Sequence, residues 1–155
     1  MPNDTAPAFD LTPPNAEQRK ALEAALNPEE RRVLLNHGTE AAFCGVLVDN
    51  KQAGTYCCKL CGLPLFAATR KFDSGTGWPS FTSPFAPGHI ATVSDRSYGM
   101  VRTETLCARC GSHQGHVFPD GPPPTHLRYC INSVSLDFIP SGQPLPDKLH
   151  RGEKL

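Results

Sequence analysis

Two pairs of cysteines share one spacing, Cys58-x-x-Cys61 and Cys107-x-x-Cys110, and each pair is followed at once by a glycine, Gly62 and Gly111. A Cys-x-x-Cys turn aims both sulfurs at one point. Two such turns supply four thiolates, a closed tetrahedral shell that favours zinc in a structural role. The glycines relieve crowding where the chain turns back. A different cysteine, Cys130, stands alone in Arg128-Tyr129-Cys130-Ile131-Asn132-Ser133. If this run is extended, Arg128, Cys130 and Asn132 share one face, which sets a cation, a thiol and an amide together. Arg128 would favour the thiolate, the reactive form. His113 and His116 follow the second cysteine pair directly and can polarise a thiol or donate protons. Trp78, in Gly75-Thr76-Gly77-Trp78-Pro79-Ser80-Phe81, is either one wall of an apolar pocket or ordinary core. These residues describe a zinc-stapled thiol enzyme.

Other chemistries fit less of the pattern. Two redox Cys-x-x-Cys motifs would belong in a βαβ setting that is absent here. A zinc hydrolase or deaminase needs an open metal position and a general base; the shell is filled by four cysteines and no His-x-Glu occurs. A mixed His/Cys metal site would compete with that filled shell. Cys130 as an inert buried thiol is the bland alternative, and a non-catalytic zinc-binding interaction module accounts for both cysteine pairs. Neither explains why Trp78, His113, His116, Arg128 and Asn132 accompany Cys130. Cys57, next to Cys58, reads as a buried small hydrophobe rather than a ligand or redox group.

The elements that must position these residues are short. Sixteen prolines and thirteen glycines in 155 residues argue for turns and short strands over long helices. Residues 1–14 are Pro-rich and polar, an expected flexible arm. Asn15 with Gln18, and Asn27 with Glu30, have capping-box spacing, and Pro28 suits a first helical position. Two short N-terminal helices follow, the second expected to end at Gly38. From Thr55 the pattern is strand and turn. Tyr98 to Leu106 reads as a strand delivering Cys107. Leu127 to Ile139 is the longest strand-like segment, but its apolar positions invert after Asn132, so either the strand passes from pocket to core or a bulge re-aims it. Residues 15–140 form one expected domain, and 141–155 a polar, Pro-rich, flexible tail.

Fifteen Lys and Arg balance fifteen Asp and Glu, which argues against nucleic acid as a partner. There is no apolar run of membrane-spanning length and no basic-then-apolar leader after Met1. Seven cysteines, an odd number, fit metal-bound and free thiols in a reducing, cytoplasmic setting better than a disulfide framework.

Taken in order, Tyr56-Cys57-Cys58-x-x-Cys61, Gly77-Trp78-Pro79-Ser80-Phe81, Cys107-x-x-Cys110, His113-x-Gly115-His116-Val117-Phe118, Asp120-Gly121-Pro122 and Arg128-Tyr129-Cys130-Ile131-Asn132-Ser133 resemble the methionine-R-sulfoxide reductase B family. The resemblance implies a mainly β fold of two antiparallel sheets, sandwich- or barrel-like, with short N-terminal helices and a structural zinc away from the active site. It implies that Cys130 attacks the sulfur of an oxidised methionine in a protein and becomes a sulfenic acid. By the same analogy Trp78 meets the methyl group. His113, His116, Arg128 and Asn132 organise the sulfoxide oxygen, the water and the thiolate, with the acid among the histidines left open. Many relatives carry a resolving cysteine in the Gly-x-Gly-Trp loop, where this chain has Thr76. Others resemble this chain in placing one on the N-terminal segment, which implies a Cys44–Cys130 disulfide that thioredoxin reduces.

Overall fold

The computed structural model describes residues 9–152, so residues 1–8 of the expected arm and 153–155 of the expected tail lie outside the described residues. Two reciprocal caps start the helices. Asn15 Oδ1 accepts from the Gln18 N–H and Gln18 Oε1 from the Asn15 N–H, at 2.8 and 2.9 Å; Asn27 and Glu30 repeat this at 2.8 and 2.9 Å. Each pair satisfies two donors that a helix start leaves free. They open α1 (Ala16–Ala24) and α2 (Pro28–Leu34). The stop lies one residue from the expected glycine. His37 takes the left-handed conformation, φ 57, and the Gly38 N–H closes the turn on Arg32 O at 2.9 Å. Glycine usually occupies that left-handed position; here a histidine does, and its ring is held elsewhere, as described below.

Nine strands follow among the described residues: β1 (Gly54–Cys58), β2 (Pro64–Ala67), β3 (Lys71–Phe72), β4 (Ser80–Phe81), β5 (Ile90–Asp95), β6 (Arg102–Cys107), β7 (His113–Phe118), β8 (Arg128–Ile131) and β9 (Leu136–Pro140). They form two antiparallel sheets, ordered β2-β1-β9 and β3-β4-β8-β7-β6-β5. The mainly β architecture with two short helices is as expected. Two strand readings change. The segment from Tyr98 starts its strand only at Arg102, because residues 97–99 form a 3₁₀ turn begun by the Ser97 N–H on Asp95 Oδ1. The segment 127–139 is two strands in different sheets, separated by a 3₁₀ turn at Ser133–Ser135. The inverted apolar pattern after Asn132 marks that crossing and not a bulge: the core lies on opposite sides of the chain before and after the turn.

The core fills the space between the sheets. Phe66 of β2 stacks on Phe81 of β4 at 4.4 Å, Tyr56 of β1 meets Phe81 edge-on at 5.1 Å, and Tyr129 of β8 closes on Phe66 at 5.7 Å. Aromatic pairs at these spacings add to the area they bury. The terminal stretches also make specific contacts. Phe9 packs edge-on against Phe85 and His89, Leu149 is buried, and the Lys148 ammonium donates to Asp137 Oδ2 at 3.1 Å. Phe66 is fully buried, so Phe66→Ala should destabilise the fold by about 3–5 kcal/mol, read as a lowered urea midpoint with an unchanged slope.

Candidate active site

The register between strands builds the site. Cys130 on β8 lies opposite Ser80 on one side and His116 on the other, and His116 lies opposite Glu104 of β6. Residues paired across a sheet share a face, so thiol, imidazole and carboxylate stand in one row. Two residues along, Arg128 lies opposite Phe118 on the same face, its guanidinium 4.4 Å from the ring centroid. Asp120 fixes that guanidinium through two hydrogen bonds, 2.9 and 3.2 Å. Tyr129 and Ile131 point the other way and are buried in the core.

A cavity of about 250 Å³ opens over this row, lined by Thr39, Thr76, Trp78, Arg102, Gly115, His116, Phe118, Arg128, Cys130 and Asn132. The Trp78 indole N–H donates to Glu40 O at 3.0 Å, which holds the ring in place. Asn132 is committed to backbone at both ends of its amide: Oδ1 accepts from the Glu40 N–H at 2.9 Å and Nδ2 donates to Gln114 O at 3.1 Å. It thus pins the segment after α2 to β7 while it lines the cavity. His116 Nε2 faces Asp95 Oδ2 at 2.8 Å, and Arg102 donates to the same oxygen at 3.1 Å. The His116 hydrogen bond, and after it the Ser97 N–H, hold the Asp95 carboxyl well below the ordinary carboxylate range. Asp95 is therefore the acceptor. The hydrogen on His116 Nε2 lies on the Asp95 side of the ring.

His113 stands apart from this cavity. It lines the neighbouring one, its Nδ1 is 2.6 Å from Glu104 Oε2, and its buried Nε2 has no hydrogen-bond partner among the described residues. Burial lowers its pKa against the opposing pull of Glu104. Cys44 also lies outside the cavity lining, exposed on a loop. That loop is nonetheless joined to the site: the Phe43 N–H donates to Gly77 O at 2.7 Å, one residue from Thr76, which lines the cavity together with Cys130.

The Cys130 thiol is pushed above its ordinary value. Burial is the largest cause; Arg128 and the Thr76 hydroxyl pull the other way and lose. The thiolate expected from Arg128 alone is thus not the resting form. Sequence reasoning also missed Asp95, Glu104, Arg102 and Thr39. A signal existed for two of them: Arg102 and Glu104 alternate on β6, and charges at period two on a half-buried strand mark a polar cleft. Asp95 and Thr39 carried none, since each reaches the site only through the fold.

The four paired cysteines converge elsewhere. Cys58, Cys61, Cys107 and Cys110 are buried with their sulfurs within 4.8 Å of one another. Cys58 to Cys110 and Cys61 to Cys107 measure 3.6 Å each. Disulfides would bring sulfurs to about 2.0 Å, whereas a tetrahedron with metal–sulfur bonds of about 2.3 Å sets them roughly 3.8 Å apart. The donor set fits a metal. The Gly62 and Gly111 N–H groups donate to Cys58 O and Cys107 O at 2.9 and 2.8 Å, with φ of 86 and 76, the left-handed turns expected after each pair. Arg109 places a buried cation 3.5 Å from Cys61 Sγ, against the excess negative charge of four thiolates. Cys57 is outside this group and its thiol is pushed up to about 12, chiefly by burial. None of these four cysteines lines the Cys130 cavity.

The model of the SelR domain matches residues 26–140. The chain belongs to the peptide methionine sulfoxide reductase B, or SelR-domain, family. It is 67% identical over 147 residues to the peptide methionine sulfoxide reductase MsrB of Caulobacter vibrioides (strain NA1000 / CB15N), covering 95% of this chain and 92% of that one. It is 67% identical over 145 residues to the protein of the same name from Xylella fastidiosa (strain M23), covering 94% of each. The match to that of Agrobacterium fabrum (strain C58 / ATCC 33970) is 49% over 132 residues, 84% of this chain and 98% of the relative. In this chain the cavity gathers the thiol, the fixed indole, one imidazole and the Arg128 guanidinium at one place. Among the described residues no helix is long and apolar enough to cross a membrane.

The thiol's environment has a measurable consequence. The alkylation rate of Cys130 by iodoacetamide should rise with pH through a midpoint above the ordinary thiol value. In Arg128→Met the midpoint should move higher still, because a lowering influence is lost. A midpoint that falls in the variant would contradict the assignment.

Proposed function

We propose that the protein is an oxidoreductase that reduces methionine-R-sulfoxide in proteins to methionine, with Cys130 as nucleophile. The observation that carries this reading is the cavity in which the Cys130 thiol, Trp78, His116 and Arg128 meet, in a chain of this family. Cys130 Sγ attacks the sulfoxide sulfur and the oxygen passes to the cysteine. Methionine leaves as a thioether reduced by two electrons, Cys130 becomes a sulfenic acid oxidised by two, and the thiol proton ends on the transferred oxygen. A sulfoxide oxygen is a poor leaving group until it is protonated, so an acid must stand beside the nucleophile. His116 lies next to Cys130 across the β7–β8 pair, which favours it over His113 for that task. His113, held by Glu104, supports the strand from the adjacent cavity. Trp78 takes the methyl group, and handed placement of methyl against oxygen selects the epimer. Arg128 and Asn132 hold the thiol and the cavity wall.

The sulfenic acid is resolved by Cys44. Its thiol displaces the hydroxyl from the Cys130 sulfur as water, leaving a Cys44–Cys130 disulfide that the dithiol of thioredoxin reduces. The tie between Phe43 and Gly77 supports this route, and the exposure of Cys44 leaves its loop free to move inward. The four paired cysteines hold zinc, whose part is structural: the closed shell leaves no position for substrate. The absence of a long apolar helix among the described residues and the even charge balance suit a cytoplasmic protein-repair enzyme.

Separate incubation with the R and S sulfoxide epimers and a dithiol should give reduction of the R epimer only, with Cys130→Ser inactive. Cys44→Ser should release one methionine per enzyme and then stall with thioredoxin; unaltered multiple turnover would remove Cys44 from the mechanism. Stripping the metal should abolish cooperative thermal unfolding, because binding free energy at such a site is folding free energy.

A further inference from the structure

We propose that His37, Glu104 and His113 form a second metal site, selective for divalent first-row transition cations, whose occupancy slows the reductase. Nδ1 of His37 and Nδ1 of His113 both point at Glu104 Oε2, at 2.5 and 2.6 Å, and the three atoms lie within 4.8 Å of one another. Two imidazoles and one carboxylate on one side of an ion are the donor set suited to zinc, nickel, cobalt or iron, and not to calcium or magnesium, which take oxygen ligands. Metal–ligand bonds of about 2.0–2.1 Å set donor atoms roughly 3 Å apart, so each imidazole nitrogen must draw back from Glu104 Oε2 by less than an ångström.

The site is built unequally. Glu104 and His113 are buried on neighbouring strands, while the His37 side chain is 58% exposed on the turn after α2. The rigid pair supplies a preformed half, and the surface histidine can swing to admit the ion. His37 also occupies a left-handed position, φ 57, where glycine would be the unstrained choice. The ring therefore brings something that the turn does not need. A cavity of about 650 Å³ adjoins the three residues and gives an entry path and room for water on the open coordination positions. Two cations, Arg32 and Arg102, line that cavity. Each is bound by a carboxylate, Arg32 by Glu29 at 2.8 Å and Arg102 by Asp95 at 3.1 Å, so neither presents an uncompensated charge to the ion.

Occupancy would exchange the His113–Glu104 hydrogen bond for bonds to the metal and would fix β6, β7 and the α2 turn together. Only this inhibitory part rests on the reductase reading; the binding does not. The probe is Zn²⁺ added to the enzyme already loaded at the four-cysteine site, with a phosphine as reductant because thiols take up zinc. Calorimetry and metal analysis after gel filtration should give one further equivalent for the parent protein. His37→Ala, a change on an exposed turn, should weaken that second site at least ~10-fold, since losing a direct ligand should cost no less than losing a partner that only orients one. Magnesium should not bind. Identical second-site binding in His37→Ala, or no second equivalent in the parent, overturns the site. Zinc at the filling concentration should slow sulfoxide reduction in the parent and leave His37→Ala unaffected. Equal inhibition of both would place zinc on a thiol and overturn the inhibitory role, while absence of any activity before the second equivalent of zinc is added would count against the reductase reading alone.

Discussion

Four sulfurs from two sheets meet at one point, and the arrangement of everything around the candidate active site follows from that meeting. Cys58 closes β1 of the three-stranded sheet, with Cys61 in the turn beyond it; Cys107 closes β6 of the six-stranded sheet, with Cys110 in the turn that leads to β7. A buried thiolate cluster is unfavourable unless its charge is compensated. The spacing of 3.6 Å between sulfurs and the Arg109 cation beside them meet that requirement once a metal is bound. Few chemical alternatives would let so small a core carry four cysteines at such spacing.

The clamp sets the start of β7. His113 follows Cys110 by three residues, and the strand it opens pairs with β6 on one side and β8 on the other. The register then brings Glu104, His116 and Cys130 into line. On the far side of β8, Tyr129 and Ile131 enter the aromatic core between the sheets. A slip of one residue would bury Arg128, Cys130 and Asn132 and expose the aromatic face, so the same packing that stabilises the sheets orients the thiol.

Charge around the site is paired rather than free. Asp95 serves His116 and Arg102 together, Asp120 holds Arg128 over Phe118, and Glu104 serves His113 and His37. These pairs fix the rings and the guanidinium before any substrate arrives, which is the form of preorganisation that lowers a barrier. The thiol is the exception. Burial keeps its pKa high despite Arg128, so its protonated form predominates at rest and the proton that the chemistry needs is already in the site.

By itself the amino-acid sequence determined the two cysteine pairs that converge, the two capped helices, the face shared by Arg128, Cys130 and Asn132, and the family. Each of these is written in short-range spacing, where residue type and period are enough. Only the tertiary structure decided that residues 127–139 belong to two sheets, because the turn that divides them is stabilised by neighbours far along the chain, such as the Val134 N–H on Glu40 Oε1. It alone separated His116 from His113, although three residues part them in sequence, since the pairing of β7 with β8 puts one beside the thiol and leaves the other over Glu104. And it alone reversed the sign of the Cys130 shift, because an adjacent arginine is visible in the sequence, whereas the exclusion of water from a thiol depends on every strand packed around it.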